Sequence, residues 1–172
     1  MATMAAGAGN SWYLGKGVAS AATVTSSNFS NLLPDADVNY QQNHISVQNH
    51  SYGVGIENFY GADAAAYDAS AIQNDAVLFV FSAGNAGNLQ GQSGNYAGIP
   101  NHANLTGSFK MAKNIITVGA VDSFAVVAKT SSRGPAFDGR VKPELVAFGE
   151  DGSSGAAALI SGTAAILQEV YK

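Results

Sequence analysis

The chain has 172 residues, of which 47% are hydrophobic and 12% charged, with a formal net charge of −4. That length predicts one domain, and that composition predicts a folded core rather than a disordered chain. Lys and Arg number 8 against 12 acidic residues, which argues against a nucleic-acid partner because such a partner needs clustered cations. No apolar run approaches the length of a membrane span, so we expect no membrane partner. The absence of cysteine excludes disulfides, thiolate metal sites and cysteine nucleophiles.

The first part of the chain predicts helices and strands in alternation. Residues 1–8 are small and alanine-rich, as at the end of a helix. Residues 21–27, AATVTSS, are predicted to form a short buried strand, and the alternating apolar and polar residues of 44–51 predict another. Residues 59–75 carry apolar side chains at helical spacing and predict a helix.

The middle of the chain predicts two central strands separated by a long loop. Residues 76–82, AVLFVFS, are a continuous apolar run of strand length, which is typical of a strand covered on both faces. The Gly- and Asn-rich stretch 83–101 follows, and loops of that length in a compact domain are usually functional or mobile. Residues 114–121, NIITVGAV, predict the next buried strand.

The last part predicts an irregular segment and a final helix. Residues 129–152 are expected to be irregular because Pro135 and Pro143 break any long element. Residues 153–172 predict a helix with small residues on its early turns. The alternation of strands and helices predicts an α/β fold of three layers, with a mostly parallel sheet and helices on both faces. In such sheets, binding sites form at the carboxyl ends of the strands.

Two serines stand where a glycine-rich turn meets the last helix, in the sequence GEDGSSGAAALISGTAAIL of residues 149–167. A helix N-terminus offers free N–H groups and a partial positive charge, so Ser154 suits a nucleophile whose reaction develops an oxyanion, provided that a base removes its proton. The alternative is a helix cap, which serine forms routinely, and the pattern in isolation favours it. The spacing differs from the Gly-x-Ser-x-Gly elbow of the α/β-hydrolases, because the second glycine comes one residue too early.

A carboxamide follows the most apolar strand. Asn85 lies in SAGNAGN, at the end of the run 76–82, where it can donate to an oxyanion. The alternative is a turn asparagine, which Gly84 and Gly87 favour when the motif is considered alone.

The candidate bases are the histidines at 44, 50 and 102, since a serine nucleophile usually needs a histidine held by a carboxylate. His44 precedes a strand and His102 lies in a loop, so both are expected at the surface. His50 is nearer the carboxyl end of its strand, but nothing in its sequence setting indicates that it is the base. The histidine spacings form no metal-ligand pattern.

Taken together, several of these segments carry a family resemblance. QNHSYG, VFSAGNAGN, IITVGAV, SSRGP, DGRVKPELVAFG and GSSGAAALISGTAAIL occur in this order. The set resembles the second part of the catalytic domain of the subtilisin-like serine proteases, the subtilase family. The last segment fits the family pattern Gly-Thr-Ser-x-Ala-x-Pro, with Ser153 in place of Thr and Ala158 in place of Pro. The resemblance implies that Ser154 is the nucleophile and that Asn85 donates to the oxyanion.

The same resemblance implies a peptide-binding cleft. NHSYG matches the family's edge segment, so Ser51, Tyr52 and Gly53 would line the specificity pocket, with Ala83 and Gly84 as its other wall. The implied substrate is a peptide or protein, and the implied reaction is hydrolysis of a peptide bond by a serine endopeptidase. No cofactor is expected; calcium sites are common in the family, but no cluster of calcium ligands stands out in this sequence. Subtilases are typically exported, so an extracellular location is implied by resemblance alone.

The first residues also resemble the family, with one difference. MATMAAG resembles the pattern His-Gly-Thr-x-x-Ala-Gly, with Met1 at the position of the catalytic histidine, while the family's catalytic aspartate lies further upstream. We therefore expect residues 1–172 to be a partial subtilase catalytic domain that begins at the histidine position and lacks the N-terminal strand or strands. The isolated chain is then expected to be catalytically incomplete and to need a missing N-terminal segment. The alternative is a non-catalytic, peptide-binding pseudo-protease that keeps the groove at residues 51–53.

Overall fold

A computed structural model of the chain describes residues 1–9, 15–27, 32–149 and 151–171. The helices and strands, in chain order, are α1 (Ala2–Ala6), α2 (Asp37–Gln42), β1 (Val47–His50), α3 (Ala62–Gln73), β2 (Leu78–Ser82), a 3₁₀ turn (Ser108–Met111), β3 (Ile116–Val121), β4 (Leu145–Phe148) and α4 (Ser153–Val170). None of the helices in these ranges is both long and apolar enough to cross a membrane.

The strands form one parallel sheet in the order β1-β2-β3-β4. Val47 of β1 pairs with Leu78 of β2, and Val80 of β2 pairs with Ile116 of β3. The spatial order of the strands is therefore their order in the sequence. All the carboxyl ends of the strands meet at one edge of the sheet, which is the edge where α/β proteins form their binding sites.

Each face of the sheet is covered by a helix, because successive side chains of a strand point to opposite faces. Phe79 and Phe81 of β2 lie in a buried cluster with Tyr67 of α3. Val80, between them, lies in a second cluster with Ala156 and Ala157 of α4. This arrangement confirms the predicted three-layer α/β fold and explains why residues 76–82 are continuously apolar.

Small residues let α1 pack closely against α4. A Cβ atom on Gly162 would lie 2.7 Å from the carbonyl oxygen of Ala5, and a Cβ on Gly155 would lie 3.1 Å from Met4 Cε. The alanine-rich sequence of residues 1–8 therefore does form a short helix, and that helix packs against the first half of α4.

Two predictions about strands are wrong. Residues 21–27 are exposed and irregular rather than a buried strand, and residues 129–152 are not wholly irregular because they contain β4. β1 is the end of the sheet, and no described residue forms a strand on its outer side. A groove of about 1070 Å³ lies there instead, lined by residues of α1, α4, β1 and the segment 21–27. Residues 21–27 border this groove and have no described strand beside them. They therefore lack the hydrogen-bonding partner that a strand needs.

Candidate active site

Ser153 and Ser154 are the first two residues of α4, and the cap position belongs to Gly152. Gly152 has φ +98°, in the region that favours glycine, and no side chain from the cap position bonds to the helix. The alternative in which a serine is the helix cap is therefore wrong. Both serines project from the first turn, where backbone N–H groups have no partner within the helix.

Ser153 anchors α4 to the end of β2. Its side chain is fully buried, and its Oγ accepts a hydrogen bond of 2.9 Å from the backbone N–H of Gly84. The same Oγ lies 2.9 Å from the carbonyl oxygen of Gly84 and 3.1 Å from Asn85 Oδ1, either of which can accept its proton. Ser153 is thus occupied by structural contacts, which leaves Ser154 as the available hydroxyl.

Ser154 is held against the end of β1 by a series of side-chain hydrogen bonds. Its Oγ lies 3.5 Å from the carbonyl oxygen of Ser51, and the hydroxyl of Ser51 donates to the carbonyl of Ser154 over 3.0 Å. The hydroxyl of Ser51 accepts from Asn49 Nδ2 at 2.8 Å, and Asn49 Oδ1 accepts from Ser161 Oγ at 3.0 Å. Ser161 Oγ also lies 2.9 Å from the carbonyl of Ala157 within α4, so the network connects the first turns of α4 to β1.

The carboxamide of Asn85 lies at the same end of α4. Its Oδ1 accepts a 3.0 Å hydrogen bond from the backbone N–H of Ser153. Asn85 is exposed, and no acceptor for its Nδ2 occurs among the described residues. A Cβ atom at Gly152 would lie 2.7 Å from Asn85 Oδ1 and 2.9 Å from Nδ2, so glycine at 152 gives the carboxamide its space. Asn85 therefore presents a free N–H₂ group beside the residue that precedes Ser154.

Two backbone segments border this point. Residues 51–53 follow β1 and residues 83–84 follow β2, and they lie side by side because β1 and β2 are neighbouring parallel strands. Thr106 bridges them, since its N–H donates to the carbonyl of Ala83 and its carbonyl accepts from the N–H of Val54. The predicted walls Ser51–Gly53 and Ala83–Gly84 are thus brought together at the carboxyl edge of the sheet.

Tyr52 differs from its expected role at the pocket surface. Its ring packs against Phe109 with centroids 5.6 Å apart, and its hydroxyl lies 2.8 Å from His50 Nδ1 and 3.2 Å from Tyr67 Oη. The side chain therefore belongs largely to the core on the α3 face of the sheet, and Tyr52 also lines part of the groove beside β1.

Sequence reasoning missed two residues behind these walls. A Cβ atom on Gly53 would lie 2.3 Å from Thr106 Oγ1, and one on Gly84 would lie 2.2 Å from it. The Nζ of Lys110 donates to Thr106 Oγ1 over 2.7 Å, and burial lowers the pKa of Lys110 to about 7. Nothing in the local sequence SFKMAK distinguishes this lysine from one at the surface, because its burial depends on segments that approach it in the assembled fold, such as residues 51–53.

His50 lies on the other face of the sheet from α4. Its ring stacks on Phe81 with centroids 4.2 Å apart and planes 4° apart, and it also contacts Tyr67 of α3. Burial lowers the pKa of His50 to about 3, and its Nε2 is buried without a partner among the described residues. No described hydrogen bond joins it to Ser154. His44 and His102 are exposed, as predicted.

Met1 precedes α1 and is 40% exposed. No described contact joins it to Ser154, although Met4 packs beside Gly155, the next residue of α4. Within the described ranges, no group of three or more His, Asp or Glu side chains is arranged to hold a metal ion.

The sequence model of the subtilase family, peptidase family S8, matches residues 1–172. The chain belongs to the subtilase family. Subtilases are serine peptidases, so the serine at the start of α4 lies in a domain of the protease class.

Solved subtilase structures share its fold. The patellamide maturation protease PatA is 23% identical, with a TM-score of 0.57 over 78% of this chain and 48% of that chain. The prenylagaramide maturation protease PagA is 18% identical, with a TM-score of 0.55 over 78% of this chain and 48% of that chain. This subtilase chain thus spans about half the length of these solved relatives.

Proposed function

We propose that residues 1–172 are a portion of a serine endopeptidase catalytic domain, in which Ser154 is the nucleophile and Asn85 the oxyanion donor. The observation that carries this proposal is that the Asn85 carboxamide bonds to the N–H of Ser153, at the first turn of the helix that bears Ser154. A hydroxyl, a free amide N–H₂ and the backbone N–H of Ser154, which has no described partner, therefore share one end of α4. Those are the groups that acyl transfer requires on the enzyme, apart from a base.

In this mechanism the Oγ of Ser154 forms a bond to the carbonyl carbon of a peptide, and its proton passes to a base. The carbonyl oxygen becomes an oxyanion, which accepts hydrogen bonds from Asn85 Nδ2 and from the backbone N–H of Ser154 at the positive end of α4. The base then gives the proton to the leaving amine as the C–N bond breaks. The extended peptide lies along Ser51–Gly53 and Ala83–Gly84.

The base is the group that these residues do not supply. The resemblance places it at Met1, whose thioether cannot accept a proton, and His50 lies on the opposite face of the sheet. In subtilisin, a member of this family, removal of the histidine alone lowers turnover by about 10⁶-fold. We therefore propose that activity needs a further segment that brings a histidine and an aspartate, and that the segment pairs with the free edge of β1 in the groove there.

A fluorophosphonate probe tests this proposal because it labels only an activated serine. We expect no stoichiometric labelling of the 172-residue chain, and stoichiometric labelling at Ser154 in a natural gene product that carries the histidine and aspartate upstream. Ser154→Ala should abolish the label, while Ser93→Ala, a change at an exposed serine, should not. Stoichiometric labelling of the 172-residue chain would show that a base is present within it.

The competing proposal is a non-catalytic peptide-binding pseudo-protease. This proposal is favoured if the natural gene product is not labelled by the probe but binds extended peptides along the backbone of Ser51–Gly53. A peptide strand can form hydrogen bonds with that backbone. Absence of both labelling and peptide binding would reject both proposals.

A further inference from the structure

A buried lysine lies directly behind residues 51–53, one of the two backbone segments along which the substrate peptide is proposed to lie. Lys110 is 0% exposed, and its Nζ bonds to Thr106 Oγ1 at 2.7 Å. Gly53 is exposed, yet a Cβ atom on it would lie only 3.0 Å from Lys110 Nζ. The amine therefore lies close behind the backbone of an exposed glycine.

The charge of this lysine has no counter-ion in the described part of the chain. The other deeply buried lysine, Lys142, forms an ion pair with Glu144, whereas no carboxylate lies within ion-pair distance of Lys110 Nζ. Lys110 has only the neutral hydroxyl of Thr106 and the ring of Phe109, whose centroid is 5.7 Å from Nζ. A buried ammonium group without an anion is costly, and a ligand carboxylate placed there would lower that cost.

A second donor points to the same place. Thr106 Oγ1 accepts the hydrogen bond of Lys110, and no described residue accepts the proton of the Thr106 hydroxyl. This hydroxyl lies between Gly53 and Gly84, within 2.3 Å and 2.2 Å of the Cβ positions of those glycines. An ammonium group and a hydroxyl thus converge between the two walls, which is a donor set that matches the two oxygens of a carboxylate.

We propose that Lys110 and Thr106 form the base of the specificity pocket and select peptides with an acidic residue, such as Glu, immediately before the bond that is cut. This inference rests on the proposed function, because the acidic side chain reaches Lys110 only if the peptide lies along Ser51–Gly53 and Ala83–Gly84. The glycines at 53 and 84 let the side chain of Thr106 approach both backbone segments closely, and Lys110 is a specificity-determining residue rather than a catalytic one.

Peptide binding tests this inference without requiring turnover. Fluorescence polarisation would compare labelled, C-terminally amidated peptides that differ only in Glu, Gln or Lys at the selected position, each titrated with the 172-residue chain. We expect the Glu peptide to bind at least about tenfold more tightly than the Gln peptide, and the Lys peptide to bind most weakly. Lys110→Met, which keeps the length of the side chain and removes its charge, should bring the Glu and Gln peptides to equal affinity.

The matched control is Lys113→Met, which removes the same charge from an exposed lysine and should keep the preference for Glu. Thr106→Val is the second variant: it removes the hydroxyl with little change of shape, and should weaken the preference even if Lys110→Met fails to fold. Equal binding of Glu and Gln peptides to the unmodified chain would overturn the role of Lys110 and leave the proposed peptide groove intact. Failure of every peptide to bind would overturn the groove, and this inference with it.

Discussion

The hydroxyl of Ser51 donates a 3.0 Å hydrogen bond to the backbone carbonyl of Ser154, which lies 103 residues further along the chain. This bond joins the end of β1 to the first turn of α4, and Asn49 and Ser161 continue the connection on the other side of the Ser51 hydroxyl. Ser51 thus has two roles in the proposed site. Its backbone lies where the peptide is proposed to bind, and its side chain binds the first turn of α4, which carries Ser154.

Removing the hydrogen bonds that join Asn49, Ser51 and Ser161 should lower the labelling rate of Ser154 strongly and the free energy of unfolding only slightly. In a labelling-competent gene product, Asn49→Ala takes away the donor to Ser51 and one of the two acceptors of Ser161, which keeps the carbonyl of Ala157. We expect the rate of fluorophosphonate labelling at Ser154 to fall by about tenfold, while the free energy of unfolding falls by only about 1–2 kcal/mol. Denaturant unfolding followed by circular dichroism gives the second quantity, and a large loss of stability with unchanged labelling would contradict a positioning role.

Two substitutions of Asn85 should separate its structural contact from its proposed chemical one. Asn85→Asp keeps an oxygen to accept the N–H of Ser153, and its negative charge suits a helix N-terminus, so stability should be kept. It removes the N–H₂ donor, so the labelling rate should fall by about 10²–10³-fold. Asn85→Ala should lose the rate and also about 1 kcal/mol of stability. An Asp variant with the original labelling rate would rule out Asn85 as the oxyanion donor.

The backbone at Gly152 should tolerate no side chain. Gly152→Ala places a Cβ 2.7 Å from Asn85 Oδ1 at φ +98°, so strain and collision add, and we expect a loss of about 2–4 kcal/mol in the free energy of unfolding. Gly98→Ala is the matched control, because its φ is +77° and no atom lies within 4 Å of its Cβ. That variant should lose only about 1 kcal/mol from backbone strain. Equal losses at the two positions would show that the contact with Asn85 contributes nothing.

Acid should destabilise the domain through His50. Burial lowers its pKa from 6.5 to about 3, so between these values the unfolded chain binds a proton that the folded chain does not. The contribution of His50 is therefore fully present above pH 6.5 and is lost progressively as the pH falls towards about 3. We expect His50→Leu to reduce the drop in unfolding free energy between about pH 7 and about pH 5.

His44→Asn is the control for this measurement. His44 is exposed and has φ +50°, a conformation that asparagine accepts, so its variant should keep the pH dependence of the unmodified chain. An unchanged pH dependence in His50→Leu would show that other groups account for the acid sensitivity.

The sequence correctly predicted the strands and helices whose own apolar pattern is clear. It failed for segments whose structure depends on whether a neighbouring strand is present. β2 is a continuous apolar run because α3 and α4 cover its two faces, and that pattern is visible in the sequence. β4 lies at the end of the sheet with three of its four residues exposed, so its pattern is weak, and Pro143, two residues before it, concealed it further. Residues 21–27 have the composition of a strand but no neighbour to pair with among the described residues.

The candidate site shows the same division. The order and spacing of the motifs were sufficient to predict that Ser154, Asn85 and residues 51–53 and 83–84 lie at one edge of the sheet. They were not sufficient for Lys110, whose burial comes from segments that are distant in the sequence, nor for Ser153, whose hydroxyl is used to bind Gly84. Side-chain burial and hydrogen-bond partners depend on the assembled fold, and local pattern does not contain them.

The order of the strands also bears on when the site first exists. Each strand pairs with the one made just before it, so the sheet can grow as the ribosome delivers the chain. α4 comes last and rests on all four strands, and Ser154 acquires its contacts with Ser51 only when that helix docks. A folding intermediate in which α4 has not yet docked therefore has the sheet but not the arrangement of Ser154, Ser51 and Asn85 on which the proposed chemistry depends.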